Sequence, residues 1–260
     1  MSNISRANET TPESAFPETA SEQHSLFQSL VLHLFPGVWT LVFALITAPL
    51  VIRAGFPGYL ALLLSALLIG TPLRLGYLLY QGKKQYGVLT LQGIVLYLGR
   101  MPWWHYLLML LSLLAYAIAL EVLLSPVSSF FQTHVFWWFP TALFSDGTEA
   151  PVVTTATLIV ALLAVFIDGI IVPFVEELYY RGYLLPRLSR FGWFAPAINA
   201  LLFSLGHFWQ PYNYLLIFLL VLPEVSLVYW KQNIKISILV HCTANTLGAV
   251  LTLIPLLIGR

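Results

Sequence analysis

The sequence predicts an all-α fold: a polytopic membrane bundle of about seven transmembrane helices plus an interfacial segment, with the N-terminus cytoplasmic. Three observations carry this expectation. Of the 260 residues, 59% are hydrophobic and only 9% are charged, against roughly 25% charged and 45–50% apolar in an ordinary soluble domain. Apolar stretches of the ~20 residues needed to cross a bilayer recur along the chain. The basic residues between them are distributed unevenly, as short cytoplasmic loops require.

The first 26 residues differ in kind from the rest. Glu9, Glu13, Glu18 and Glu22 stand against a single Arg6, so residues 1–26 read as a disordered acidic cytoplasmic tail. They lack the positive start followed at once by an apolar run that marks a cleaved signal, and the tail is expected to remain on the mature protein. The first span covers about residues 31–52 and is closed by Arg53, Gly55, Pro57 and Gly58; the second covers 59–80 and is closed by Gln81, Gly82, Lys83 and Lys84. Arg74, near the end of the second, is placed to snorkel. Residues 88–98 are too short and too punctuated by Gln92 and Gly93 to cross, so they read as interfacial. The third span is 103–124.

Residues 125–151 form the longest connection, an exterior loop with Pro126, Pro140, Gly147 and Pro151 and the aromatic cluster Phe136, Trp137, Trp138 and Phe139, which suits the headgroup level. The N-terminal transmembrane portion thus runs over 27–151. The fourth span, 152–175, continues as a polar helix through Glu176, Glu177 and Arg181, and the remaining three cover 195–207, 214–230 and 236–257. With seven spans, Arg6, Lys83, Lys84, Arg100, Arg181, Arg187, Arg190, Lys231 and Lys235 fall on one side, against Arg53 and Arg260 on the other. That bias sets the N-terminus inside and the C-terminus outside.

Composition also excludes function classes. A net charge of +1 leaves no basic footprint for nucleic acid. The single Cys242 rules out an intramolecular disulfide, a cysteine zinc cluster and an iron–sulfur site. Any metal would have to be held by His, Asp or Glu.

Ionisable groups within spans are expensive in lipid and mark function by default. Three clusters stand out. In Glu176-Glu177-Leu178-Tyr179-Tyr180-Arg181, Glu177 and Arg181 lie one turn apart in the acid-first order that favours an ion pair. Glu176 is left without a sequence-local cation, which points to a carboxylate available as a general base; the plainer reading is a pair of interfacial glutamates capped by a basic loop. In Phe203-Ser204-Leu205-Gly206-His207, the ring of Phe203 and the imidazole share a face; a lone His at a helix end is more often structural. His241 and Asn245 again stand one turn apart, on an otherwise apolar helix, and packing does not explain them. Together these residues suggest that Glu176 and His207 activate a water while His241 and Asn245 stabilise an oxyanion. They leave zinc open as well, because Glu176, His207 and His241 supply two imidazoles and one carboxylate. HExxH is absent.

The segments EELYYR at 176–181, FSLGH at 203–207 and HCTAN at 241–245 resemble, in order, the motifs EExxxR, FxxxH and HxxxN of the CAAX prenyl protease and bacteriocin-processing (CPBP, or Abi) family of intramembrane proteases. The resemblance covers about residues 152–257, and makes 152–260 a catalytic transmembrane core. It implies a helical bundle with a cavity opening toward the cytoplasm and peptide-bond hydrolysis near that membrane surface. In it Glu176 and His207 are the water-activating pair, His241 and Asn245 the oxyanion site, Glu177 and Arg181 a supporting ion pair, and Phe203 a wall. Members are described both as metalloproteases and as glutamate-dependent enzymes. Eukaryotic ones trim prenylated proteins, and some bacterial ones serve bacteriocin maturation or self-immunity.

Membrane lipids and a protein or peptide substrate, lipid-modified or not, are therefore the expected partners, and a bacterial plasma membrane the expected site. The rival readings are a non-catalytic binding or immunity protein and a transporter; the latter would favour inverted repeats and broken helices, and neither is evident. Asp168, Glu121, Glu224, His33, His105 and His134 read as groups that tie helices together more readily than as site residues, although Asp168 falls near enough to the face of Glu176 to reach the same cavity. Pro173, just ahead of the first motif, is expected to free a backbone carbonyl and kink the helix toward that cavity.

Overall fold

The architecture is that of a computed structural model in which residues 22–144 and 154–258 are described. The expectations for 1–21 and 145–153 lie outside that range. Among the described residues the chain is helical, with one isolated antiparallel bridge between Leu98 and Asn233 in place of any sheet. Six helices are long and apolar enough to cross a membrane, and a seventh apolar helix is shorter.

Helix α1, Leu26–Arg53, begins at Ser25, whose hydroxyl accepts from the Gln28 amide at 3.1 Å and so satisfies one of the free amides of the first turn. The residues before it do not hang free: Gln23 and His24 pack on the segment after the first motif, with the His24 amide donating to the Arg187 carbonyl at 2.9 Å. Helix α2, Tyr59–Tyr86, is stopped by Gly87 in a left-handed conformation (φ 79°). Helix α3, Trp103–Val135, is longer than its expected span. Residues 125–135 are helical, not loop, because Pro126 removes one backbone donor without ending the helix: Ser125 donates to the Val122 carbonyl that Pro126 leaves unserved. The aromatics Trp137 and Trp138 that follow are exposed.

Helix α4, Thr155–Leu184, carries the first motif and is interrupted twice by π-helical turns, at Ile167–Ile171 and Tyr180–Leu184. Helix α5, Phe194–Leu205, has 12 residues. At 1.5 Å per residue it rises about 18 Å, short of the ~30 Å hydrocarbon core, so it cannot cross alone as the fifth span was expected to do. His207 accordingly lies past the end of α5, in the connection to α6, Tyr214–Lys231. Helix α7, Lys235–Ile258, completes the bundle.

Backbone hydrogen bonds gather one end of the bundle. The Leu96 amide donates to Gly182, the Gly99 amide to Gln232, and the Ile234 amide to Tyr97, at 2.8, 3.0 and 2.8 Å. The irregular stretch 88–98, with Ile94 and Val95 buried, thus bridges the end of α4 and the α6–α7 turn. Lys231 and Lys235 stand at the same end as the α4–α5 connection with Arg187 and Arg190, which is the grouping that the charge bias required.

In a bilayer each backbone polar group must find a partner inside the protein, and the prolines show how. Pro36 cannot serve the Leu32 carbonyl, and Tyr179 on α4 donates to it at 2.9 Å. Pro223 frees Leu219, which accepts from Tyr116 on α3 at 2.9 Å. Pro173 frees Gly169, which accepts from Thr246 on α7 at 3.2 Å. In these three cases the lost intrahelical bond has become an interhelical one. Close approach does the rest: a Cβ at Gly37 on α1 would run into the Gly206 carbonyl oxygen, so only glycine lets α1 seat the chain that leads into His207.

Candidate active site

The three motifs meet around the ring of Phe203. Arg181 lays its guanidinium carbon 4.1 Å from that ring's centre, His207 packs edge-on at 4.7 Å, and His241 approaches edge-on at 6.1 Å. A wall for one imidazole was expected; the ring instead organises a residue from each of the other two motifs.

Glu177 and Arg181 form the expected ion pair, with Arg181 Nε 3.3 Å from Glu177 Oε2 and both side chains fully buried. The other oxygen, Oε1, receives His241 Nδ1 at 2.8 Å. A carboxylate only accepts, so Nδ1 carries the ring proton and Nε2 is turned to the opposite edge. His207 is set the same way: its Nδ1 lies 2.9 Å from the Phe203 carbonyl, which again assigns the proton to Nδ1 and frees Nε2. Asn245 donates one amide proton to the Asp168 carbonyl at 3.1 Å, within the π-helical turn, and keeps the second. Gly169 permits the crossing of α4 and α7 there, since a Cβ would stand 2.7 Å from Thr246 Oγ1.

Glu176 departs from expectation. It is not without a cation: Arg74 Nη2 of α2 sits 2.9 Å from its Oε1, and both side chains are nearly excluded from solvent. Arg74 therefore does not snorkel. It turns inward, stacks its guanidinium 5.4 Å from the centre of the Tyr180 ring and donates through Nε to the Tyr180 hydroxyl at 3.4 Å. An ion pair between two spans leaves no local trace in sequence, which is why both assignments failed together. Its only signal was an arginine within an apolar segment.

Glu176, His207, His241 and Asn245 line one cavity of about 400 Å³, together with Arg74, Asp168 and Glu224. Asp168 accepts from the Tyr59 hydroxyl at 3.0 Å, so it ties α2 to α4 and also faces the cavity. His33, by contrast, is structural. Its Nδ1 donates to Ser29 and its Nε2 accepts from Asn199, which in turn donates to the Tyr180 carbonyl. That chain locks α1, α4 and α5 behind the site.

Among the described residues no three His, Cys, Asp or Glu side chains converge on a point where a metal ion could be held. Arg74 already occupies the charge of Glu176, where a cation would compete with it.

Residues 157–247 match the family described as Type II CAAX prenyl endopeptidase Rce1-like. That stretch holds all seven motif residues and excludes Arg74, which belongs to the part of the chain outside the match. No curated protein and no solved structure matches the chain.

Proposed function

We propose that this multi-pass membrane protein is an intramembrane endopeptidase of the CAAX-protease type, acting on a protein or peptide substrate near the cytoplasmic surface of a bacterial plasma membrane. The observation that carries the reading is the convergence of Glu176 from α4, His207 from the α5–α6 connection, and His241 and Asn245 from α7 on one cavity. Glu176 lies about four residues, or roughly 6 Å along the helix, ahead of the buried Tyr180–Leu184 turn that meets the basic end of the bundle. That shallow depth suits a substrate reaching in from the surface.

In this mechanism Glu176, held at Oε1 by Arg74, uses Oε2 to orient a water and accept its proton, with His207 Nε2 as the second acceptor on the same water. The hydroxide adds to the scissile carbonyl carbon. Asn245 donates its remaining amide proton to the resulting oxyanion, and His241 adds a second donor through Nε2 when its ring carries both protons, with Glu177 as counter-charge. Collapse breaks the carbon–nitrogen bond, and the proton taken from water passes to the leaving amine. Buried as it is, Glu177 acts by holding His241 and Arg181 in place and does not touch the substrate.

Terminal-peptide mass spectrometry on membranes from cells making the wild-type chain or Glu176→Gln at equal abundance tests this. Cuts that occur only with the wild type are expected. Absence of any Glu176-dependent cut, with both proteins inserted, overturns the protease reading in favour of a binding or immunity role.

A further inference from the structure

The mechanism above leaves one buried carboxylate of the cavity without a task. Glu224 lies on α6, lines the cavity and is only 6% exposed. Its Oε1 has no hydrogen-bond partner, and among the described residues no Lys, Arg or His stands within ion-pair distance of it. Every other acid here is spoken for: Glu176 by Arg74, Glu177 by Arg181 and His241, and Asp168 by Tyr59. The described lining therefore holds three carboxylates, Asp168, Glu176 and Glu224, against the single guanidinium of Arg74. An unpartnered carboxylate in an apolar site carries a large desolvation cost, which is relieved by taking up a proton or by pairing with a bound cation.

We propose that Glu224 is a specificity residue of this site, the acceptor for a basic side chain, Lys or Arg, of the substrate peptide. The proposal rests on the endopeptidase reading. Leu113 of α3 and Ile217 and Val221 of α6 line the same cavity, and apolar walls of this kind suit the methylene stem of such a side chain while the charged head meets the carboxylate. A cation there gives the unpartnered carboxylate a charge-assisted hydrogen bond where water is scarce. A neutral side chain of the same length fills the space and leaves Glu224 unpaired, so discrimination comes from the penalty on the wrong substrate as much as from attraction to the right one.

The test uses the full chain in lipid nanodiscs and a set of decapeptides of Ala and Leu, with one Lys moved through every position and each paired with its norleucine counterpart. Cleavage is followed by mass spectrometry, and binding by fluorescence anisotropy of the labelled peptides. At one position, Lys is expected to exceed norleucine in kcat/KM and in affinity by about tenfold or more. Glu224→Gln should bring that ratio close to one, and Glu224→Asp should keep part of it. A wild-type ratio near one at every position overturns the proposal without any variant, which covers the case of a Glu224→Gln chain that fails to fold. It is also overturned by a ratio that survives in Glu224→Gln, or by an equal fall in kcat for both peptides, which would mark a proton-handling role. Glu224-dependent binding with no cleavage would uphold the subsite and overturn the endopeptidase reading; cleavage indifferent to Lys would do the reverse.

Discussion

Arg74 of α2 and Glu176 of α4 are joined by a 2.9 Å ion pair from which solvent is almost wholly excluded. The pair connects the part of the chain outside the family match to the first residue of the first motif, so the candidate site is not a property of residues 157–247 alone. Taking one partner away leaves a buried charge uncompensated, at a cost of about 3–5 kcal/mol. Arg74→Met should therefore destabilise the protein by that order, while Arg74→Met combined with Glu176→Gln recovers most of the loss. Arg74→Lys should rescue poorly, because an ammonium cannot reproduce the guanidinium's contacts with Tyr180. Reversible unfolding in detergent, read as a double-mutant cycle, checks this; additivity of the two single changes to within about 0.5 kcal/mol would show that the residues do not interact.

Asn245 separates an electrostatic role from a scaffolding one. Its side chain spends one proton on the Asp168 carbonyl, and the mechanism spends the other on the oxyanion. Asn245→Ala should lower kcat by about 10²–10³ with little change in KM, the mark of an interaction made mainly in the transition state. Steady-state kinetics on a peptide identified by mass spectrometry gives the split. A rise in KM with unchanged kcat would assign Asn245 to substrate binding instead.

The parts of the structure legible in sequence were those governed by one helix at a time. Glu177 and Arg181 pair as helical spacing requires, and the six long apolar segments are helices long enough to cross a membrane. What escaped was set between helices. Arg74 was read as an end-of-span residue because only its own segment was in view. Residues 125–135 were read as loop because Pro126 breaks helices in water, whereas here the helix continues and Ser125 serves the freed carbonyl. Glu224 was read as a tie between helices, yet it lines the cavity, whereas Asp168 both ties α2 to α4 and lines the cavity, as its place near the face of Glu176 allowed. A carboxylate's orientation around its helix axis depends on which neighbour that helix packs against, and sequence periodicity in a segment apolar on all sides does not specify it.

The N-terminal attachment should be sensitive to acid. His24 packs its ring 5.8 Å from that of Tyr183, and burial, with the Arg187 guanidinium next in effect, lowers its pKa from 6.5 to about 4. The detached chain takes up a proton near pH 6.5, the attached one only near 4. The attachment therefore keeps its full strength above about pH 6.5 and loses it progressively as pH falls from there toward 4. Hydrogen exchange over residues 22–26 should rise between pH 7.5 and 5 after correction for intrinsic rates. His24→Phe should abolish that excess; an excess that persists in the variant would place the titrating group elsewhere.

The hydroxyl of Tyr179 offers a test of how the motif helix is anchored. It donates to the Leu32 carbonyl, the group that Pro36 leaves without its helical donor. Tyr179→Phe should cost about 1–3 kcal/mol, the penalty for a buried acceptor left unsatisfied. Pro36→Ala restores an amide to the turn of α1 and gives Leu32 a partner of its own. In that background Tyr179→Phe should cost markedly less, since the carbonyl no longer depends on the phenol. Unfolding free energies of the four proteins decide the matter. An equal cost in both backgrounds would mean that Tyr179 stabilises α4 through ring packing against Tyr77 and Tyr180, and that the freed carbonyl of α1 is not what draws the two helices together.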